Sequence, residues 1–99
     1  TLKIKDIVYL KTSGNYTAFV LSNDSKENLI MRNTLKRLTE TMKPFDFIAV
    51  SSNETVNLRH ITDVTRYLVT LDNGEQIQAS QKKYNDVFRA YTLYRGRNA

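Results

Sequence analysis

The spacing of apolar residues changes period along this chain, and that change limits the fold more than any other feature. As far as Ala79 the apolar residues fall in short blocks separated by small polar residues, the pattern of strands. Beyond Gln81 the period becomes helical: Tyr84, Val87, Phe88 and Tyr91 stand at i, i+3, i+4 and i+7. The expectation is a mostly-β domain closed by a helix from Gln81 to Tyr94, with Arg95 to Ala99 frayed.

Within the β portion, Asp6 to Leu10 alternates, with Ile7 and Tyr9 opposite Val8 and Leu10. Thr12 to Asn15 reads as a loop, Tyr16 to Leu21 as a strand, Ser22 to Ser25 as a turn and Glu27 to Met31 as the returning strand. Asn33 is placed to cap a short helix whose apolar face is Leu35, Leu38 and Met42, and Pro44 stops it. Phe47 to Val50 is an apolar strand, Ser51 to Glu54 a polar loop or bulge, Asn57 to His60 a one-turn connector and Ile61 to Arg66 a strand. Leu68–Leu71 and Glu75–Ala79 flank Asp72-Asn73-Gly74, a strong hairpin signal. The fold class expected is mostly β: antiparallel sheets in an elongated, sandwich-like arrangement, with one short internal helix and one C-terminal helix.

At 99 residues the chain has room for one core, so residues 1–99 are read as a single domain. Thr1 is not a natural start, and a domain excised from a longer protein is expected. With no cysteine, disulfide scaffolds, thiolate zinc sites and cysteine nucleophiles are excluded. The apolar runs are strand-sized, so no membrane span is expected. Three isolated glycines build neither a dinucleotide fingerprint nor a P-loop, and no cofactor is expected. One histidine leaves no metal cluster. His60 with Asp63 and the serines Ser51, Ser52 and Ser80 do not form a recognisable nucleophile–base–acid pattern, so the chain is not read as an enzyme.

Fifteen Lys and Arg against ten Asp and Glu give a net charge of +5, in the range where nucleic acid is a natural partner. The charges are scattered, so any basic surface must be assembled by folding. Three loop-like places carry side chains suited to phosphates and base edges. Lys11, Ser13, Asn15 and Tyr16 form the first. Ser51, Ser52 and Asn53 form the second. Gln81, Lys82 and Lys83 form the third, at a helix start where free N–H groups favour an anion. Arg59 adds a further candidate cation beside Asn57. Tyr9, Tyr67, Tyr84, Tyr91 and Tyr94 fall at core-facing positions, so a stacking platform for single strands is not expected; Tyr16 borders the first loop.

Phe47 and Val50 followed by Val56-Asn57-Leu58 and Ile61 give an F-x-x-V … V-N-L-x-x-I run. It stands in order with Asp6 to Leu10, Gly14-Asn15-Tyr16, Thr34-Leu35-Lys36, Leu71 to Gly74 and Ile77 to Ser80. Together these motifs resemble the LytTR family of DNA-binding domains over about Asp6 to Tyr91. The resemblance implies sequence-specific binding of double-stranded DNA by loops inserted into successive major grooves at tandem promoter repeats. It also implies the effector role in a cytoplasmic, two-component response regulator, behind a receiver domain in the same full-length chain, with dimerisation on DNA. By position the implied reading residues are Asn15 and Tyr16, Ser51 and Ser52, and Lys82, with Ser80 matching the family's serine. Two departures bear on base preference: Ser51-Ser52-Asn53 replaces a His-Arg-Ser run, and Gln81-Lys82 replaces an Arg that follows the serine. Lys lacks the planar fork that Arg offers guanine. The competing expectation is an α+β protein- or ligand-interaction domain whose basic charge is incidental.

Overall fold

The computed structural model describes residues 3–22 and 29–98. The turn expected at Ser22 to Ser25 falls, from residue 23 onward, outside the described residues, as do Glu27 and the terminal Thr1 and Ala99. Among the described residues eight strands form: β1 (Ile7–Ser13), β2 (Tyr16–Leu21), β3 (Leu29–Met31), β4 (Phe47–Ala49), β5 (Glu54–Asn57), β6 (Ile61–Thr65), β7 (Leu68–Leu71) and β8 (Gln76–Gln78). Two helices accompany them, α1 (Leu35–Met42) and α2 (Gln81–Arg97). The first five strands make an antiparallel sheet in the order β3-β2-β1-β5-β4, and the last three make a second, β6-β7-β8. The molecule measures 32 × 26 × 24 Å. The mostly-β class, the short internal helix and the C-terminal helix all stand as the sequence implied.

The five-stranded sheet is covered on both faces. Val8, Tyr9, Val20 and Val56 face the second sheet and α2, meeting Val64, Val69, Leu71, Ile77, Val87 and Tyr91. Ile7, Leu10, Phe19 and Phe47 face Leu35, Leu38 and Met42 of α1. The simple alternation expected in β1 is therefore broken. A register shift between Ile7 and Tyr9 inserts one extra residue, so Val8 and Tyr9 share one face and Ile7 and Leu10 share the other. Tyr9 lies deep enough that burial, then a hydrogen bond to Glu75 in the second sheet's hairpin, pushes its phenol well above the usual range.

Local chemistry sets the connections. Thr12 and Ser13 are strand rather than loop, since Ser13 pairs with Tyr16 and leaves only Gly14-Asn15 at the tip. Gly14 has φ 62, the first-position requirement of a tight hairpin turn. The Asp72-Asn73-Gly74 hairpin forms as expected, with Gly74 at φ 91 and its N–H on the Leu71 carbonyl at 3.0 Å. α1 is capped by Thr34, one residue later than expected. The Thr34 hydroxyl accepts from the Arg37 N–H at 3.2 Å while the Asn33 side chain accepts from the Thr34 N–H.

Two expectations about α2 need correction. Arg95 to Arg97 are helical, because Arg97 reaches Asp46 at 2.8 Å and Asn98 closes the end on the Tyr94 carbonyl. Phe88, counted on the packed face, is 49% exposed and stacks on Tyr84 at its side. No helix among the described residues is long and apolar enough to cross a membrane.

Candidate nucleic-acid interface

Two backbone hydrogen bonds bring the three loop-like clusters together. The Thr12 N–H donates to the Asn53 carbonyl at 3.0 Å, joining the β1–β2 hairpin to the turn between β4 and β5. The Ser80 N–H donates to the Val50 carbonyl at 2.8 Å, joining that same turn to the start of α2. The result is a row: the hairpin tip on one side, residues 51–53 in the middle and the helix start on the other. Thr12 and Asn53, 41 residues apart in sequence, become neighbours because β5 lies beside β1 and returns from β4.

The middle turn is self-supporting. Ser51 donates its hydroxyl to Glu54 at 2.7 Å and accepts from the Asn53 N–H at 3.1 Å. Its hydrogen is thus engaged in holding the turn, and Ser51 shapes the row more than it faces outward. Ser52 and Asn53 are exposed, with the Asn53 side-chain oxygen Oδ1 accepting from the Thr12 hydroxyl at 3.3 Å. On the hairpin, Ser13, Asn15 and Tyr16 are exposed, Tyr16 by 43%. Lys11 lies further down β1, half-buried and opposite Ala18 and Glu54.

At the third position Ser80 caps α2, its hydroxyl accepting from the Lys83 N–H at 3.3 Å. The carbonyl of Ser80 takes the N–H groups of Lys83 and Tyr84, which leaves those of Gln81 and Lys82 as the unused donors of the first turn. Gln81 and Lys82 are exposed and Lys83 half-buried, so two ammonium groups and the positive end of a long helix converge here.

A cleft of about 530 Å³ opens beside the row, lined by Ser51, Ser52 and Lys83 together with Lys36, Glu40 and Lys43 of the α1 region. Lys36 and Lys43 were missed as candidates. Their signal is the i, i+4, i+7 spacing of Lys36, Glu40 and Lys43, which puts the three on one side of a continuing helical turn. Arg59, by contrast, is not part of the row. It follows β5 at the far end, next to the last turn of α2.

His60 does not pair with Asp63. Its Nδ1 meets the Asp72 carboxylate at 2.8 Å and its Nε2 the Lys5 carbonyl at 2.6 Å, so this 7%-exposed ring ties the second sheet's hairpin to the chain before β1. Among the described residues no group of three or more potential metal ligands is present.

The model of the LytTr DNA-binding domain matches residues 1–92. The chain belongs to the LytTR family. Among solved structures, a LytTr DNA-binding domain from Bacillus cereus, whose parent protein is named a methyl-accepting/DNA response regulator, superposes with a TM-score of 0.74. It is 22% identical, over 92% of this chain and 84% of that one. No curated protein matches. The fold explains the motif that first pointed to this family. Val56, Asn57 and Leu58 are 0%, 2% and 5% exposed. The LytTR signature thus marks the scaffold, and the exposed polar side chains lie in the turns around it.

Proposed function

We propose that this LytTR domain binds double-stranded DNA sequence-specifically, inserting the row of loops into the major groove as the effector domain of a bacterial transcription regulator. The observation that carries this reading is the row itself: three turns, bonded side by side, presenting polar and cationic side chains at one end of a rigid sheet. A major groove admits a two-stranded ribbon or a helix end. The β1–β2 tip is such a ribbon, and the α2 start is such an end. In this reading Asn15 and Lys82 meet base edges, with Ser52 and Asn53 between them. Lys11, Ser13, Tyr16, Gln81, Lys83 and the N–H groups of α2 hold phosphates, and Ser51 keeps the middle turn in shape. Tandem promoter repeats, dimerisation on DNA and a receiver domain in the full-length chain complete the proposal, as does work in the cytoplasm.

Binding to genomic promoter fragments, followed by fluorescence anisotropy across a salt series, tests it. Each neutralised phosphate should contribute about 0.9 to the slope of log K against log salt. A steep negative slope with retained preference over competitor DNA is expected. A slope near zero would remove the DNA reading and favour an interaction domain with incidental charge.

A further inference from the structure

The end of the molecule away from the DNA row carries a second cationic feature. Arg59 and Arg95 line one notch of about 310 Å³ together with Tyr94 and Asn98, with the buried Leu58 and Ile61 behind it. The placement of Arg59 is fixed by its neighbours. Leu58 and His60, on either side in the same short turn, are buried, and the Arg59 N–H donates to the Asn57 side chain at 3.1 Å. Arg59 is the one residue of that turn left exposed. Arg95 is held from the other wall, its guanidinium 5.6 Å from the centre of the Tyr91 ring. Tyr91 is itself anchored, 8% exposed with its hydroxyl on the Thr62 carbonyl. Stacking on a ring occupies the face of a guanidinium and leaves its in-plane N–H donors open to a bidentate acceptor.

The neighbouring Arg97 has a counter-ion in Asp46 at 2.8 Å. Among the described residues, neither Arg59 nor Arg95 forms such a pair. Two cations converging on one notch without an anion repel each other, and an incoming carboxylate relieves that repulsion. Tyr94, half-buried, lines the same notch and adds a second preference, for an apolar side chain beside the charge. We propose that this notch docks an acidic segment of a partner protein, a carboxylate lying between the two guanidinium groups and an adjacent apolar side chain resting against the Tyr94 ring.

Nucleic acid is the less suitable occupant. From Gln81 to Arg95, α2 runs about 21 Å at 1.5 Å per residue and sets the notch apart from the row, and a phosphate backbone offers no apolar group to the Tyr94 ring. The inference does not depend on the DNA reading.

NMR titration of this chain with a blocked pentapeptide of alternating aspartate and leucine tests the proposal. Saturable shifts at the Arg59, Arg95 and Asn98 side-chain signals are expected. A peptide with asparagine for aspartate, and the double variant Arg59→Gln with Arg95→Gln, should each weaken binding by about tenfold or more, as loss of charge-assisted hydrogen bonds requires. Both arginines are exposed, and the variant's amide spectrum checks that the fold is kept. Absence of shifts at the notch overturns the proposal. So does an equal response to inorganic phosphate accompanied by weaker DNA binding of the double variant, which would make the notch a phosphate contact.

Discussion

Asn57 and Asn15 are the same residue type put to opposite uses, and burial separates them. Asn57 is 2% exposed. Its amide donates to the Ile7 carbonyl at 2.9 Å and the Ile4 carbonyl at 3.3 Å, and its oxygen accepts from the Arg59 N–H. Replacing Asn57 with Ala strands these buried backbone groups, and a loss of about 1–3 kcal/mol in stability is expected. Urea unfolding should show a lower midpoint with an unchanged slope, and the base preference of the folded fraction should not move. Asn15 is exposed at a hairpin tip, where an amide can pair with adenine N6 and N7. Asn15→Ala should cost roughly 1–3 kcal/mol on the preferred duplex and little on a scrambled one. Lys82→Ala should behave likewise where it meets guanine, and should weaken all duplexes alike, with the salt slope reduced by about 1, where it meets phosphate. Lys36, on the exposed side of α1, looks like a natural control from sequence, but it lines the cleft beside Ser51 and Ser52. Lys5, exposed and beyond the other end of β1, is the better one. If neither Asn15→Ala nor Lys82→Ala changes affinity in a folded domain, the assignment of the row is wrong.

At the level of elements, each piece of the row hangs from a rigid support. The hairpin tip continues two paired strands, the middle turn is closed by Ser51 and Glu54, and the third position is a helix cap. The cap serves two ends at once: the Ser80 side chain holds the Lys83 N–H, and the Ser80 backbone N–H holds the Val50 carbonyl. Ser80→Ala removes only the first of these. A stability loss of about 0.5–2 kcal/mol is expected from the lost cap, readable in thermal or urea unfolding. Ser80→Asp should restore it, because aspartate caps as well as serine. Failure of the aspartate variant to recover stability would show that the hydroxyl acts other than as a cap. The connection from β6 to β7 uses another device. Tyr67 adopts φ 67 without being glycine, a conformation that costs roughly 1–2 kcal/mol. Its ring packs edge-on to Tyr84 at 5.2 Å, and its carbonyl accepts from the Ala79 N–H, which offsets that cost and ties the second sheet to α2.

At the scale of the molecule, the five-stranded sheet is the plate on which everything else is mounted, with α1 on one face and the second sheet and α2 on the other. In the proposed mode the three turns on this plate give one domain one short row of contacts. Two domains on adjacent repeats gain through effective concentration rather than new contacts. Footprinting should therefore show higher occupancy of paired half-sites than of a single half-site at equal protein concentration, with spacing in whole helical turns. Equal occupancy of single and paired sites would count against a tandem mode.

How much of this was legible in the chain follows from which interactions are local. Gly74 marked its hairpin, Leu35, Leu38 and Met42 marked α1, and the helical period after Gln81 marked α2, because turn dihedrals and helix faces are fixed within a few residues. The family motif named the partner class for the same reason: its residues keep their order and spacing in sequence. β5 was hidden, since Thr55 and Asn57 look polar until they find Thr39 and Ile7 across the fold. The bulge at Val8 was hidden because it matters only once both faces of β1 are covered, and His60 gave no hint of choosing Asp72 over Asp63. The same holds for the site. Composition supplied a charge of +5 but no address for it. Only the pairing of β5 with β1 and β4 set three turns in one row and carried Arg59 to the opposite end, because where a side chain finally stands depends on strand order, which local sequence does not encode.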